Sequence, residues 1–167
     1  MKFSDSKQTI FLIDGSSFLY RAYHSMRPLH TPQGQPVQAV YVFFRMIKKL
    51  VDKYDPTYFV VVWDSKGKTF RHEMFDEYKA TRQAPPSDLF AQKEYILEFG
   101  KKIGLMQVAK AGFEADDLMY SLAKDFESEN QNVVVVTSDK DLCQVLTDHT
   151  FVYDPFKDEE IDKQVFE

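Results

Sequence analysis

Seven carboxylates stand at positions from which acidic side chains can act together. Asp14 closes the apolar run Thr9–Ile13, Asp64 closes Tyr58–Trp63, and Asp139 follows Val133–Val136 by three positions, with Asp141 two further on. Glu114, Asp116 and Asp117 come just after a short apolar run at 105–109, where the next helical pattern begins. Read alone, any one of these acids is a turn residue, a helix cap or a partner for a helix dipole. Together they are constrained by repulsion. Two carboxylates about 6 Å apart repel by roughly 3 kcal/mol at an effective dielectric near 20, so four of them store on the order of 15 kcal/mol, as much as a whole domain's stability. Such a group needs a cation or raised pKa values. The available donors are carboxylate oxygens, because His24, His30, His72 and His149 are scattered and Cys143 is the single cysteine. An oxygen-only, water-rich site suits Mg²⁺ or Mn²⁺ rather than Zn²⁺, and carboxylates holding such ions in an open site are the apparatus of phosphodiester hydrolysis.

A second group is basic and aromatic. In F-R-H-E-M-F-D-E-Y-K-A-T-R at 70–82, helical spacing predicts that Arg71, Phe75, Tyr78 and Arg82 share one face, with Lys79 beside it. Lys66 and Lys68 precede this segment, and Arg21 lies seven residues after Asp14. Cationic side chains bind phosphates and aromatic rings stack on unpaired bases, so the segment is a candidate strand contact. The plain alternative is an amphipathic helix that buries Phe75 and Tyr78. Gly67-Lys68-Thr69 resembles the end of a phosphate-binding loop, but the glycine required five residues earlier is Val62, which removes that reading. Ile13-Asp14-Gly15-Ser16 leaves a haloacid-dehalogenase-type phosphatase as a distant alternative, weakened because Ser16 stands where that chemistry needs a second Asp.

The elements that must position these groups can be read from periodicity. Strands are expected at 9–13, 58–63, 105–109, 133–136 and 150–153. Helices are expected from Ser16 or Ser17 to about Met26, over 40–54, 89–103 and 114–126, with a short one at 140–146, while 65–86 reads as a polar, basic and aromatic segment closed by Pro85-Pro86. Pro28, Pro32, Gly34 and Pro36 make 27–37 a loop or small hairpin. Ile161, Val165 and Phe166 suggest a further helix over 159–167, cut short, so the chain is expected to be part of something longer. Strands that are apolar throughout and alternate with helices predict an α/β fold, a mostly parallel central sheet with helices on both faces, in one domain over 1–167. Ligands bind such sheets beyond the carboxyl ends of the strands, which would bring all seven acids to one edge.

The 167 residues carry a net charge of −5, yet this is unevenly spread. Residues 1–110 hold 17 Lys and Arg against 11 Asp and Glu, whereas residues 111–167 hold 4 against 15. A basic front and an acidic back fit two readings, a solvated acidic tail or a carboxylate cluster holding cations beside a basic surface. With 44% hydrophobic and 15% aromatic residues the chain is expected to build a large core. It has no apolar run of membrane-spanning length and no apolar leader after Met1, so a cytoplasmic location without membrane contact is expected.

Five ordered motifs carry a resemblance. F-L-I-D-G-S-S-F-L-Y-R-A-Y-H at 11–24, V-V-W-D-S-K-G-K-T-F-R at 61–71, E-Y-K-A-T-R at 77–82, G-F-E-A-D-D at 112–117 and T-S-D-K-D-L at 137–142 resemble the 5′–3′ exonuclease domain of bacterial DNA polymerase I, a relative of flap endonucleases and PIN-like nucleases. The resemblance implies a metal-dependent, structure-specific 5′ nuclease acting on DNA with 5′ flaps or nicks and on RNA primers, a monomer continuous with a polymerase in a parent protein. It implies that Asp14, Asp64, Glu114 and Asp116 hold a first Mg²⁺ or Mn²⁺, with Asp117 in or near its shell. Asp139 and Asp141 would serve the region of a shared or second ion. Arg21, Lys79 and Arg82 would act on the scissile phosphate or threaded strand, and Tyr78 and Phe75, with Arg71, Lys66 and Lys68, would contact DNA. The further acidic ligands and duplex-gripping helix–loop–helix of that family have no match before Glu167, which leaves a catalytically weak DNA-binding fragment as the alternative.

Overall fold

A computed structural model describes residues 8–75, 77–78 and 84–163. The chain runs β1 (Thr9–Asp14), α1 (Gly15–His24), α2 (Gln38–Tyr54), β2 (Tyr58–Val62), α3 (Phe70–Met74), α4 (Ser87–Lys102), β3 (Met106–Val108), α5 (Ala115–Ser128), β4 (Asn132–Val136), a 3-10 turn (Lys140–Val145), β5 (Thr150–Asp154) and β6 (Glu159–Ile161). The strands form one sheet in the order β3-β2-β1-β4-β5-β6. Five are parallel, and β6 pairs antiparallel with β5. The expected α/β class and mostly parallel sheet are therefore present.

The strands are apolar throughout because both faces are covered. Phe11, Ile13, Val61, Trp63, Val134, Val136 and Tyr153 pack with Phe18 and Leu19 of α1, Phe43 and Ile47 of α2, and Ile96 of α4. The alternate set, Ile10, Leu12, Val60, Val62, Val133, Val135 and Val152, packs with Met119 and Ala123 of α5 and with Leu142 and Val145 of the 3-10 turn. A slip of one residue in any strand would exchange the two sets, so the register is fixed by what each face meets. Aromatics fill the first layer: Phe43 stacks on Trp63 at 5.7 Å and meets Phe18 edge-on at 5.5 Å.

Two expectations fail, each for a physical reason. A helix that would carry Arg71, Phe75 and Tyr78 on one face is not formed: α3 stops at Met74, and Phe75 is already extended. None of the residues of α3 is buried, so no core contact holds its face; Phe75 itself is 65% exposed. Arg71, Phe75 and Tyr78 thus do not share a helical face. The terminal helix expected from 159 begins instead as β6, where Ile161 pairs with Val152 and Glu159 with Asp154. Residues 164–167 lie outside the described set. The 27–37 segment closes as the small hairpin, with His30 bridged to Pro36.

Strand order reverses at β1. The chain leaves β1 for β2 on one side, and β4 returns to its other side. This topological switch point is where an open parallel sheet leaves a crevice at its carboxyl edge. Gly15 opens α1 there because nothing larger fits. A Cβ on it would lie 2.7 Å from Val61 Cγ1 and 2.8 Å from Trp63 Cε3. Alanine normally gains up to about 1 kcal/mol over glycine inside a helix. At position 15 overpacking against Trp63 outweighs that gain, and Gly15→Ala is expected to lose about 1–3 kcal/mol in urea denaturation. Equal or higher stability of the variant would contradict the close packing of α1 on Trp63.

Candidate active site

Asp14 is the last residue of β1 and the N-cap of α1, so strand and helix meet on its carboxylate. Oδ1 accepts the Ser17 N–H at 3.0 Å, and Oδ2 accepts the Thr137 hydroxyl at 3.0 Å. The residue is only 5% exposed. Burial pushes its pKa up to about 6; the bonds from Ser17 and Thr137 oppose this, and the charges of Asp116 and Asp64 add to it. Desolvation wins over two hydrogen bonds to the ionised form, and three acids from three parts of the chain feel one another.

Thr137 passes the connection on. Its hydroxyl oxygen accepts the Asp139 N–H at 3.0 Å, and Asp139 Oδ1 accepts the Asp141 N–H at 2.9 Å, which caps the 3-10 turn. On the other side of β1, the Asp64 N–H donates to Ser16 Oγ at 3.1 Å. Asp64 Oδ1 accepts the Ala115 N–H at 2.8 Å, at the start of α5. Glu114 caps that helix in a box with Asp117, whose Oδ2 accepts the Glu114 N–H at 3.0 Å. The Tyr78 hydroxyl donates to Glu114 Oε2 at 2.9 Å. Arg71 clamps Asp117 through two bonds, Nη1 to Oδ2 at 2.7 Å and Nη2 to Oδ1 at 2.6 Å, and its Nη1 is 3.6 Å from Glu114 Oε2. These bonds to Asp117 hold the guanidinium well above its usual pKa.

Asp14, Asp64, Asp139, Glu114 and Asp117 are therefore tied at one edge of the sheet by main-chain, hydroxyl and guanidinium donors, with Asp141 on Asp139 and the charge of Asp116 felt at Asp14. Among the described residues, however, no three His, Cys, Asp or Glu side chains close around a point ready to hold an ion. Several of their oxygens are directed instead at N–H groups and at Arg71. The donor set is nonetheless the right one for a hard cation: oxygen only, close enough for mutual charge to act at Asp14, and with Asp64 exposed to solvent.

The expected cations divide. Arg71 faces Asp117 rather than solvent. Lys66 is exposed and paired with Glu94 at 3.2 Å, and Lys68 is exposed. Arg21 lies over the Phe156 ring at 5.4 Å. Lys79 and Arg82 lie outside the described residues. Nothing in the sequence signals the bond from Asp64 to Ser16, read there as a helix start, or the role of Thr137, a neutral hydroxyl within T-S-D-K-D. Sequence reasoning also passed over Asp154, 4% exposed at the end of β5, whose Oδ1 accepts from Ser138 Oγ at 2.9 Å and Phe156 N at 2.9 Å. The strand-end rule that found Asp14 would have found it too.

Comparison with known proteins fits this edge. Residues 9–167 match the family described as 5′–3′ exonuclease, N-terminal resolvase-like domain. The chain belongs to that family. It is 37% identical over 157 residues to a 5′–3′ exonuclease of Aquifex aeolicus, covering 94% of this chain and 54% of that protein. It is 38% identical over 160 residues to DNA polymerase I of Rhizobium leguminosarum, covering 91% of this chain and 16% of that one. The chain thus spans about half of the exonuclease and under a fifth of the polymerase. Among solved structures, the T5 5′-exonuclease with bound divalent metal ions (zinc) superposes with a TM-score of 0.69 at 22% identity, over 93% of this chain and 58% of that one. A T5 flap endonuclease variant in complex with DNA and metal ions gives 0.64 at 20% identity, over 93% and 58%. These likenesses agree with the fold seen here. Family membership sets the phosphatase reading aside, as does Ser16, whose hydroxyl receives the Asp64 N–H.

Two outcomes follow from the site's electrostatics. Arg71→Met leaves Asp117 without its bidentate partner and is expected to destabilise the chain by about 1–3 kcal/mol, part of it recovered in Arg71→Met/Asp117→Asn. Urea denaturation of the four proteins reads the coupling, and purely additive losses would contradict the clamp. For Asp14 the native pKa lies above the unfolded value, so the native state binds the proton more tightly. Its contribution is complete below about pH 4 and is lost as pH rises through about 6, a change of about 3 kcal/mol. In divalent-free buffer, Asp14→Asn should therefore gain on the parent as pH rises over that window; a constant difference would contradict the shift.

Proposed function

We propose that this chain is the acid-bearing part of a Mg²⁺- or Mn²⁺-dependent, structure-specific 5′ nuclease, which hydrolyses phosphodiester bonds in DNA with 5′ flaps or nicks and in RNA primers. The observation that carries the reading is the continuous acidic edge at the switch point, from Asp141 and Asp139 through Thr137 to Asp14 and, across Ser16 and Ala115, to Asp64, Glu114, Asp116 and Asp117. Membership of the 5′–3′ exonuclease family supports the polarity. The names of the T5 structures, which carry divalent metal ions and DNA, support the cofactor and the partner class.

In this reading Asp14, Asp64, Glu114 and Asp116 hold the first ion, Asp117 borders it, and Asp139 and Asp141 face the second. When bound, such ions lower the pKa of water and stabilise charge at the phosphate. The chain's own contribution is placement. Asp14 is held by strand β1 and helix α1 at once, and a cation beside it would favour its ionised form against the burial that raises its pKa. Arg71 and Tyr78 hold Asp117 and Glu114 in orientation from outside. Arg21, Lys79 and Arg82 supply positive charge to the phosphate or threaded strand, and Phe75, exposed and aromatic, is available to stack on a base. The protein works as a monomer in the cytoplasm, in one domain over 1–167, continuous with a polymerase in its parent.

A second reading, a DNA-binding module with little turnover, is favoured by the absence, among the described residues, of three acids gathered around one point. Cleavage of a labelled 5′-flap duplex in Mn²⁺ decides between them. The chain is expected to cut, and Asp116→Ala to lose at least about a hundredfold, the effect of several kcal/mol of metal-borne charge stabilisation. Salt-sensitive binding with no cutting would establish the second reading instead. Equal cutting by Asp116→Ala would overturn the first.

A further inference from the structure

One cation near the acidic edge is not among those singled out above. Lys93 lies on α4, and its ammonium sits 4.9 Å over the ring of Trp63, the residue that precedes Asp64. The ring is fixed. It is buried, it stacks on Phe43, its Nε1 donates to Gln107 Oε1 at 3.1 Å, and its six-membered ring fills the space that a side chain at Gly15 would need, next to Asp14. A cation seated on that ring is therefore held at a set place beside the residue that leads from β2 into Asp64.

The charges that face it are Asp64, Glu94 and Lys66. Glu94 is ion-paired with Lys66 at 3.2 Å. Arg71 is clamped to Asp117, and Arg21 lies over Phe156. Lys93 is half-buried, and among the described residues no hydrogen bond or ion pair joins its ammonium. Burial lowers its pKa from the usual lysine value, against the pull of Asp64 and Glu94. A partly desolvated ammonium on an aromatic face keeps part of its stabilisation and retains hydrogen-bond donors in want of an anionic oxygen.

We infer that Lys93 is a substrate contact, its ammonium donating to a non-bridging oxygen of a backbone phosphate on the strand that lies across the Asp64 end of the acidic edge. The inference rests on the nuclease reading above and extends it to a residue on α4. The phosphate would supply the oxygen that the protein does not, and the cation would offset the negative charge which the acidic edge turns toward DNA. It is a contact to the sugar–phosphate chain and carries no base information.

The test is the salt dependence of binding. Fluorescence anisotropy of a labelled 5′-flap duplex is measured with Ca²⁺ in place of Mg²⁺, over a range of KCl concentrations, for the parent, Lys93→Met, Lys93→Arg and Asp116→Ala. Met keeps the aliphatic stem over Trp63 and removes the charge, so equal thermal midpoints confirm that the fold is retained. Loss of one phosphate contact should reduce the slope of log K against log salt by about 0.7–0.9 in Lys93→Met. Lys93→Arg should restore the parent slope, which a merely structural role would not require. Equal slopes for parent and Lys93→Met, with salt-dependent binding in both, would overturn the inference and leave the nuclease reading standing. No salt-dependent binding by the parent would overturn both, whereas a changed slope in Lys93→Met beside failure of the parent to cut would uphold the contact and overturn the nuclease reading.

Discussion

Like charges crowded at one edge are the constraint under which the rest of this structure is arranged. Strands β1, β2 and β4 all lead into aspartates at their carboxyl ends, and α5 starts with three more acids in four residues. In water-exposed loops such charges would separate. Here the parallel sheet holds them near one another, and the chain offsets the repulsion by local means. Asp14 receives Ser17 and Thr137, Asp64 receives Ala115, Asp139 receives Asp141, and Asp117 receives Glu114 N and Arg71. Most of these bonds also fix an element, because Ser17, Glu114 with Ala115, and Asp141 stand at the starts of α1, α5 and the 3-10 turn, while Thr137 and Arg71 tie in the end of β4 and α3. The acids are thus the caps of the helices that surround them, and moving a carboxylate means loosening a helix start.

That double use explains why the edge is rigid around Asp14. The residue is buried, it joins β1 to α1, and it reaches β4's extension through Thr137. Its backbone is fixed from behind by Gly15 against Val61 and Trp63. The cost is a carboxyl group that prefers its proton at mildly acidic pH, which is also what makes the place receptive to a cation. A dry, hydrogen-bonded acid beside two others is more strongly stabilised by a divalent ion than the same acids spread in solvent would be.

How much of this was legible in the sequence depended on where each residue's partners lie. The strands were legible because burial on both faces leaves no polar position in V-V-V-V or I-F-L-I. The strand-end acids were legible because a parallel sheet assigns every such end to one edge. The shared face of Arg71, Phe75 and Tyr78 was misread because their spacing imitates an amphipathic helix, whereas α3 is held by Arg71 on Asp117 and by the Thr69–His72 cap, not by a buried stripe. Ile161 at the tail has one apolar neighbour pattern as a helix and another as an edge strand, and its pairing with Val152 decides. The bonds made by Thr137 and Ser16 were not legible. Their roles depend on Asp14 and Asp64, 123 and 48 positions away, and a hydroxyl declares no partner in a linear sequence.

Cations at the edge are divided in the same way between building the site and remaining available to a polyanion. Arg71 builds: a guanidinium fork matches the two oxygens of Asp117, which a lysine cannot do. Lys66 is neutralised by Glu94 in solvent, where such a pair adds little stability. Arg21 and Lys93 rest on aromatic rings, Phe156 and Trp63, which hold a positive charge in place without cancelling it. An aromatic seat differs from a carboxylate partner in this respect. The carboxylate must be displaced before the cation can engage a phosphate, and the ring need not be. The edge therefore sets fixed negative charge beside positive charge kept on apolar supports, and on the proposed reading a phosphate backbone lying across both would meet each without first breaking an ion pair.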